Sequence, residues 1–123
     1  VEGLFEKIGT CVTVADEAQF NLFGAASALM ADFFDQVSGV TQWMSEKGLQ
    51  TSTAARYTTA LYYALADLTV RQSAEGLHKM SEACQTPGGL NAQFIARRNK
   101  LGTKKSLTEG LDDILARLES ATD

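Results

Sequence analysis

"TAARYTTALYYALA", residues 53–66, carries one charge, Arg56, and no glycine or proline. Its apolar positions Ala54, Tyr57, Ala60, Leu61, Ala64 and Leu65, continuing to Leu68, recur at three- and four-residue steps. That is the repeat of an α-helix. Tyr62 and Tyr63 fall on its other faces, so the helix is apolar nearly all round, which marks it as a buried one. Surrounding such a helix takes neighbours on every side, and one copy of this chain has too few. The stretch therefore predicts an all-α fold of about five helices whose core is closed by a second copy, as an interleaved homodimer.

Working outward, this helix runs over about 53–72, with Thr51 or Ser52 as its cap. Upstream, Leu22, Ala26, Leu29, Phe33, Val37, Val40 and Met44 keep helical spacing. They predict one helix of about thirty residues from an N-cap at Asp16 to a stop at Gly48. Before it, the end of a helix stops at Gly9, and Thr10–Val14 is β-prone and predicts a short N-terminal strand. A lone strand needs a partner, and no later segment offers one. Downstream, a short helix is expected over 74–84. Another follows over about 88–101, with Leu90, Phe94, Ile95 and Leu101 as its apolar side and Gly102 as its end. The last, "SLTEGLDDILARLES", opens with a capping-box spacing from Ser106 to Glu109 and buries Leu107, Leu111, Ile114, Leu115 and Leu118.

At 123 residues the chain fits one domain. With 45% apolar and 21% charged residues it has the composition of a folded protein. A net charge of −4 disfavours broad nucleic-acid binding, which needs a basic face. Cys11 and Cys84 cannot build a disulfide framework and fit a reducing, cytoplasmic setting. No apolar run is long enough to span a bilayer, so no membrane contact is expected. The chain opens on Val1 rather than Met, which suggests a processed product or a piece of a longer protein, a removed tag being the other explanation.

Most candidate chemistry is weak. Glu75 and His78 have the Glu-x-x-His spacing of di-iron bundles, but a solvated histidine beside Lys79 accounts for them, and no metal is expected. Arg97, Arg98, Lys100, Lys104 and Lys105 place five cations in nine residues. They suit a solvated helix end, or attraction of an anionic substrate or cofactor phosphate. Asp112 and Asp113 are neighbours on a helix and do not face each other. Tyr57, Tyr62 and Tyr63 read as packing residues, so no catalytic residue is assigned.

"QTPGGLN", residues 85–91, is different, because it holds the only proline beside a Gly-Gly pair. Thr86 as N-cap with Pro87 at the first helical position explains Thr-Pro but not Gly88-Gly89. Bare backbone N–H groups facing an anion such as a carboxylate would explain both glycines. The residues alone leave both readings standing.

Three stretches together resemble the C-terminal region of the pyrroline-5-carboxylate reductase family. "LFEKIGTCVTVADE" (4–17) is similar to the end of that family's nucleotide domain. "NLFGAASALMADFFDQVSGVTQWMSEKGL" (21–49) resembles its dimer-forming helix, although Asn21-Leu22-Phe23-Gly24-Ala25-Ala26 replaces the family's Ser-Gly-Ser-Gly-Pro-Ala. "TPGGLN" (86–91) looks like its Ser-Pro-Gly-Gly-Thr-Thr turn, with Leu90 and Asn91 in place of the threonines. The resemblance implies that residues 1–15 are the tail of a Rossmann domain absent from this chain and 16–123 a helical dimerisation and substrate-side domain. It also implies an NAD(P)-dependent oxidoreductase of proline biosynthesis, with the dinucleotide bound by the parent protein and not by this domain. A small carboxylate-bearing imine would sit at Thr86, Gly88, Gly89 and Asn91. The alternative is a non-enzymatic helical homodimer acting as a scaffold or adaptor.

Overall fold

A computed structural model describes residues 10–121, and every regular element among them is helical. In order they are α1 (Glu17–Ser27), α2 (Leu29–Glu46), α3 (Thr51–Gln72), a 3-10 turn (Ser73–Glu75), α4 (Leu77–Ala83), α5 (Leu90–Lys100) and α6 (Thr103–Ser120). The all-α expectation holds. Thr10–Val14 forms no strand and leaves Val12 and Val14 exposed. The helix end expected before Gly9 lies outside the described residues. The described residues divide into two compact units, residues 10–28 with 108–121, and residues 29–107.

In the first unit, Asp16 is extended and its carboxylate accepts the Gln19 N–H at 2.9 Å, capping α1 as its sequence position predicts. The Gln19 side chain returns the favour by accepting the Ala15 N–H at 3.1 Å. The single long helix of the sequence reading is two helices here, interrupted at Ala28. The Ser27 hydroxyl donates to the Gly24 carbonyl at 2.6 Å, and the Ala28 N–H reaches back to Ala25 at 3.1 Å. The backbone bond from Ala28 is of the three-residue kind that tightens a last helical turn, and Ala28 itself keeps right-handed dihedrals at φ −64, ψ −15. Gly24 faces α6, where an added Cβ would stand 3.2 Å from a Leu118 methyl, and Ala25 is buried beside it.

The second unit is built on the α2–α3 pair. At the end of α2, Gly48 adopts φ +100, its N–H bonds the Ser45 carbonyl, and the Leu49 N–H bonds that of Met44. This paired closure needs a residue that tolerates the left-handed region, which is why glycine ends the helix there. Helix α3 starts at Thr51 with Gln50 as N-cap and no side-chain cap, so neither Thr51 nor Ser52 has the expected role. Ala54 and Thr58 lose all exposure. Being small and one turn apart, they let α2 approach closely. The Thr58 hydroxyl donates to the Met44 sulfur at 3.7 Å, and the Phe33 ring meets the Tyr62 ring edge-on at 5.6 Å.

Most of the rest of α3 is uncovered by the described residues, with Ala55, Asp67 and Leu68 half-buried. Tyr57, Leu61, Leu65 and Val70 are exposed, and Tyr63 keeps 76% of its surface. Sequence periodicity identified an all-round apolar helix, and the described residues cover chiefly the Ala54–Thr58–Tyr62 side of it.

Candidate functional site

The candidate site is the junction between α4 and α5. Helix α4 ends at Ala83, and the chain passes through Cys84 and Gln85 into a tight turn. The Gly89 N–H donates to the Thr86 carbonyl at 2.9 Å across Pro87 and Gly88, and Gly88 has φ +74. Proline followed by a positive-φ glycine within such a bond makes a type II turn. Gly89 is extended at φ −77, ψ 162 and is the N-cap of α5. A Cβ on Gly89 would collide with the Thr86 hydroxyl and lie 3.0 Å from the Thr86 carbonyl oxygen.

Each glycine therefore has a backbone reason. Gly88 supplies the left-handed conformation, and Gly89 supplies the close approach to Thr86. The helix begins at Leu90 and not near residue 88, and Thr86 opens the turn instead of capping the helix. The physical cause is Gly88, whose φ no α-helix accommodates.

Thr86, Gly88, Gly89 and Asn91, predicted together, are brought together in this one junction. The Asn91 amide donates to the Cys84 carbonyl at 3.2 Å, tying the end of α4 to the start of α5. Its oxygen remains available as an acceptor, and one amide hydrogen as a donor. No side chain caps Gly89, so the backbone N–H groups of Leu90, Asn91 and Ala92 lack an intrahelical acceptor, as in any first turn. Together they offer an anion a set of donors unobstructed by side chains at positions 88 and 89.

A depression of about 450 Å3 continues from Asn91 along α5, lined by Leu90, Gln93, Phe94 and Arg97 as well. The sequence reading missed it. Of the apolar side read from the sequence, Leu90, Phe94 and Leu101 are exposed in the single chain, while Ile95, with Ala92, is half-buried. The Arg98 guanidinium stands 6.0 Å above the Phe94 ring, close enough for a cation–π attraction. Arg97, Arg98 and Lys100 occupy the last turn of α5, where the helix dipole favours cations. Lys104 and Lys105 instead open α6.

The remaining candidates separate. Gly76, with φ +99, divides Glu75 at the end of the 3-10 turn from His78 in α4, so the two do not share a helix face. The Glu75 side chain lies outside the described residues. His78 lies 3.4 Å from the Glu82 carboxylate on an exposed surface. No group of three or more His, Cys, Asp or Glu among the described residues could hold a metal ion. Cys11 and Cys84 are free and exposed. No helix among the described residues is long and apolar enough to cross a membrane. A second depression, of about 370 Å3, is lined by Thr53, Arg56 and Tyr57 at the start of α3. Comparison with family models, with curated proteins and with solved structures returns no match.

Proposed function

We propose that this chain is the self-associating, substrate-side helical domain of a pyrroline-5-carboxylate reductase-like, NAD(P)-dependent oxidoreductase. On this reading it is a cytoplasmic homodimer whose parent enzyme reduces a small carboxylate-bearing imine. The observation that carries the reading is the Thr86–Asn91 junction, where a type II turn delivers bare backbone to the start of a helix. The substrate carboxylate would accept hydrogen bonds from the Leu90, Asn91 and Ala92 backbone, with the free amide hydrogen of Asn91 beside them. The uncovered apolar surface of α3 supports the homodimer, because monomers rarely leave so much aromatic and aliphatic side chain in water.

The described residues do not fit a dinucleotide. Among them there is no strand leading through a glycine-rich loop into a helix. On this reading the cofactor belongs to a nucleotide-binding domain of the parent protein, and the part played by residues 16–123 is to hold and orient the carboxylate.

A second reading, a non-enzymatic homodimeric scaffold or adaptor, draws on the same junction. Both glycines have structural reasons, and Asn91 already bonds Cys84. Titration of the isotope-labelled chain with L-proline, a five-membered ring bearing a carboxylate, distinguishes the two. The reductase reading expects saturable shifts of the Leu90, Asn91 and Ala92 amide resonances. Pyrrolidine, the same ring without the carboxylate, should produce none, and Asn91→Asp should abolish the response by repulsion. Unmoved amide signals at millimolar L-proline would leave the scaffold reading in its place.

A further inference from the structure

Charge along this chain is blocked. Residues 8–46 contain Asp16, Glu17, Asp32, Asp35 and Glu46 and no lysine or arginine. Residues 83–108 contain five cations and no acid. The two blocks include α2 and α5 of the same compact unit.

At about 100° per residue, Leu90, Phe94, Arg97 and Leu101 of the α5 segment fall in one narrow sector, bordered by Arg98 on one side and Lys100 on the other. That sector faces solvent, with Leu90, Phe94 and Leu101 exposed by 85, 62 and 65%. Spacing of i, i+4, i+7 and i+11 is how one helix presents anchors to another. The stripe is about 16 Å long at helical rise. No ion pair among the described residues engages Arg97, Arg98 or Lys100.

Helix α2 offers the complement on the face turned away from Phe33 and Met44, the side chains it sets against α3. Asp32, Asp35, Gly39, Trp43 and Glu46 share a sector of similar width, about 21 Å long. Trp43 is 58% exposed, and the space beside Gly39 is open, with nothing within 4 Å of where a Cβ would stand. Asp32 and Glu46 each accept one bond, from Gln36 at 2.7 Å and Gln42 at 2.9 Å. Each carboxylate has a second oxygen for an incoming cation.

We propose that the exposed α5 stripe of one copy docks on the acidic, Trp43-bearing face of α2 in a second copy, and that two-fold symmetry repeats the contact. Arg97 and Lys100 meet the Asp32 and Asp35 carboxylates, and Leu90, Phe94 and Leu101 are withdrawn from water. The proposal rests on the homodimer reading and goes beyond it by naming the paired faces. Because α5 carries the Thr86–Asn91 junction at its start, each candidate carboxylate site would be held in place by the other subunit.

Charge reversal tests the pairing. One variant carries Arg97→Glu with Lys100→Glu, the other Asp32→Lys with Asp35→Lys. All four residues are exposed, so circular dichroism should show unchanged helicity. Sedimentation should show each variant dimerising roughly tenfold more weakly than the unmodified chain, since several exposed pairs become repulsive together. Mixing the two restores opposite charge at both docks of a heterodimer. An equimolar mixture should therefore regain unmodified affinity as a one-to-one heterodimer, and rising salt should weaken it. Full-strength dimers of the separate variants, or no recovery on mixing, would overturn the pairing while leaving the dimer. An unmodified chain that sediments as one subunit would remove the dimer reading as well.

Discussion

Helices α3 and α5 both turn apolar side chains to solvent, but in opposite chemical settings. The α3 sector of Tyr57, Leu61 and Leu65 contains no charged residue, whereas Leu90, Phe94 and Leu101 stand among Arg97, Arg98 and Lys100. A chargeless surface selects a partner by shape alone and holds it better as excluded salts are added. A surface bracketed by cations selects by charge as well, and salt weakens its hold. Exposure alone does not say how a surface associates; the residues beside the exposed ones do.

The comparison can be broken hardest at the base of α3. Ala54 has no exposed surface, so Ala54→Leu should push α2 away and cost about 1–3 kcal/mol in chemical denaturation. An unchanged midpoint would mean that α3 is not anchored through Ala54 and Thr58. On the α5 side, Gly89→Ala should cost about 1 kcal/mol, as a Cβ pressed against Thr86 forces a local shift. Adding Thr86→Ala should return part of that loss by removing the hydroxyl, and denaturation of the pair would show the non-additivity. Simple addition of the two effects would contradict the contact. The smallest effect belongs to the ion pair near the end of α3. Arg71 and Asp67 are paired one turn apart but largely exposed, so Arg71→Ala should move thermal stability by only a few tenths of a kcal/mol. A larger loss would mean that charge contributes more to α3 than its composition indicates.

Helix ends were legible where a residue has one structural use. Gly48 and Gly102 mark stops and adopt positive φ, and Asp16 caps α1. The break at Ala28 was not legible, because Gly24-Ala25-Ala26-Ser27-Ala28 contains nothing a helix must exclude. It shows only as the Ala28 N–H bonding three residues back, while Ala28 itself keeps right-handed helical dihedrals. Helix α6 begins at Thr103, three residues before the Ser106 capping box, because Gly102 ends one helix and leads directly into the next. At the candidate site the odd composition of Pro87-Gly88-Gly89 was visible, yet its local cause was not. A type II turn and a collision avoided at Thr86 are distances, and composition does not encode distances. Leu90, Phe94 and Leu101 were legible as an apolar side, but periodicity does not say whether the same chain or a second copy covers it, and the single chain leaves all three exposed.

The bond from Thr58 to the Met44 sulfur gives the α2–α3 seam a chemical vulnerability. Met44 is half-buried, and its thioether is a weak acceptor closely fitted to a hydroxyl with no exposed surface. Peroxide would convert that sulfur to a sulfoxide, which is bulkier and strongly polar and seeks water. A sulfoxide can no longer serve as the weak apolar acceptor fitted to Thr58, so oxidant exposure would loosen the two helices at this contact, and a sulfoxide reductase would restore them.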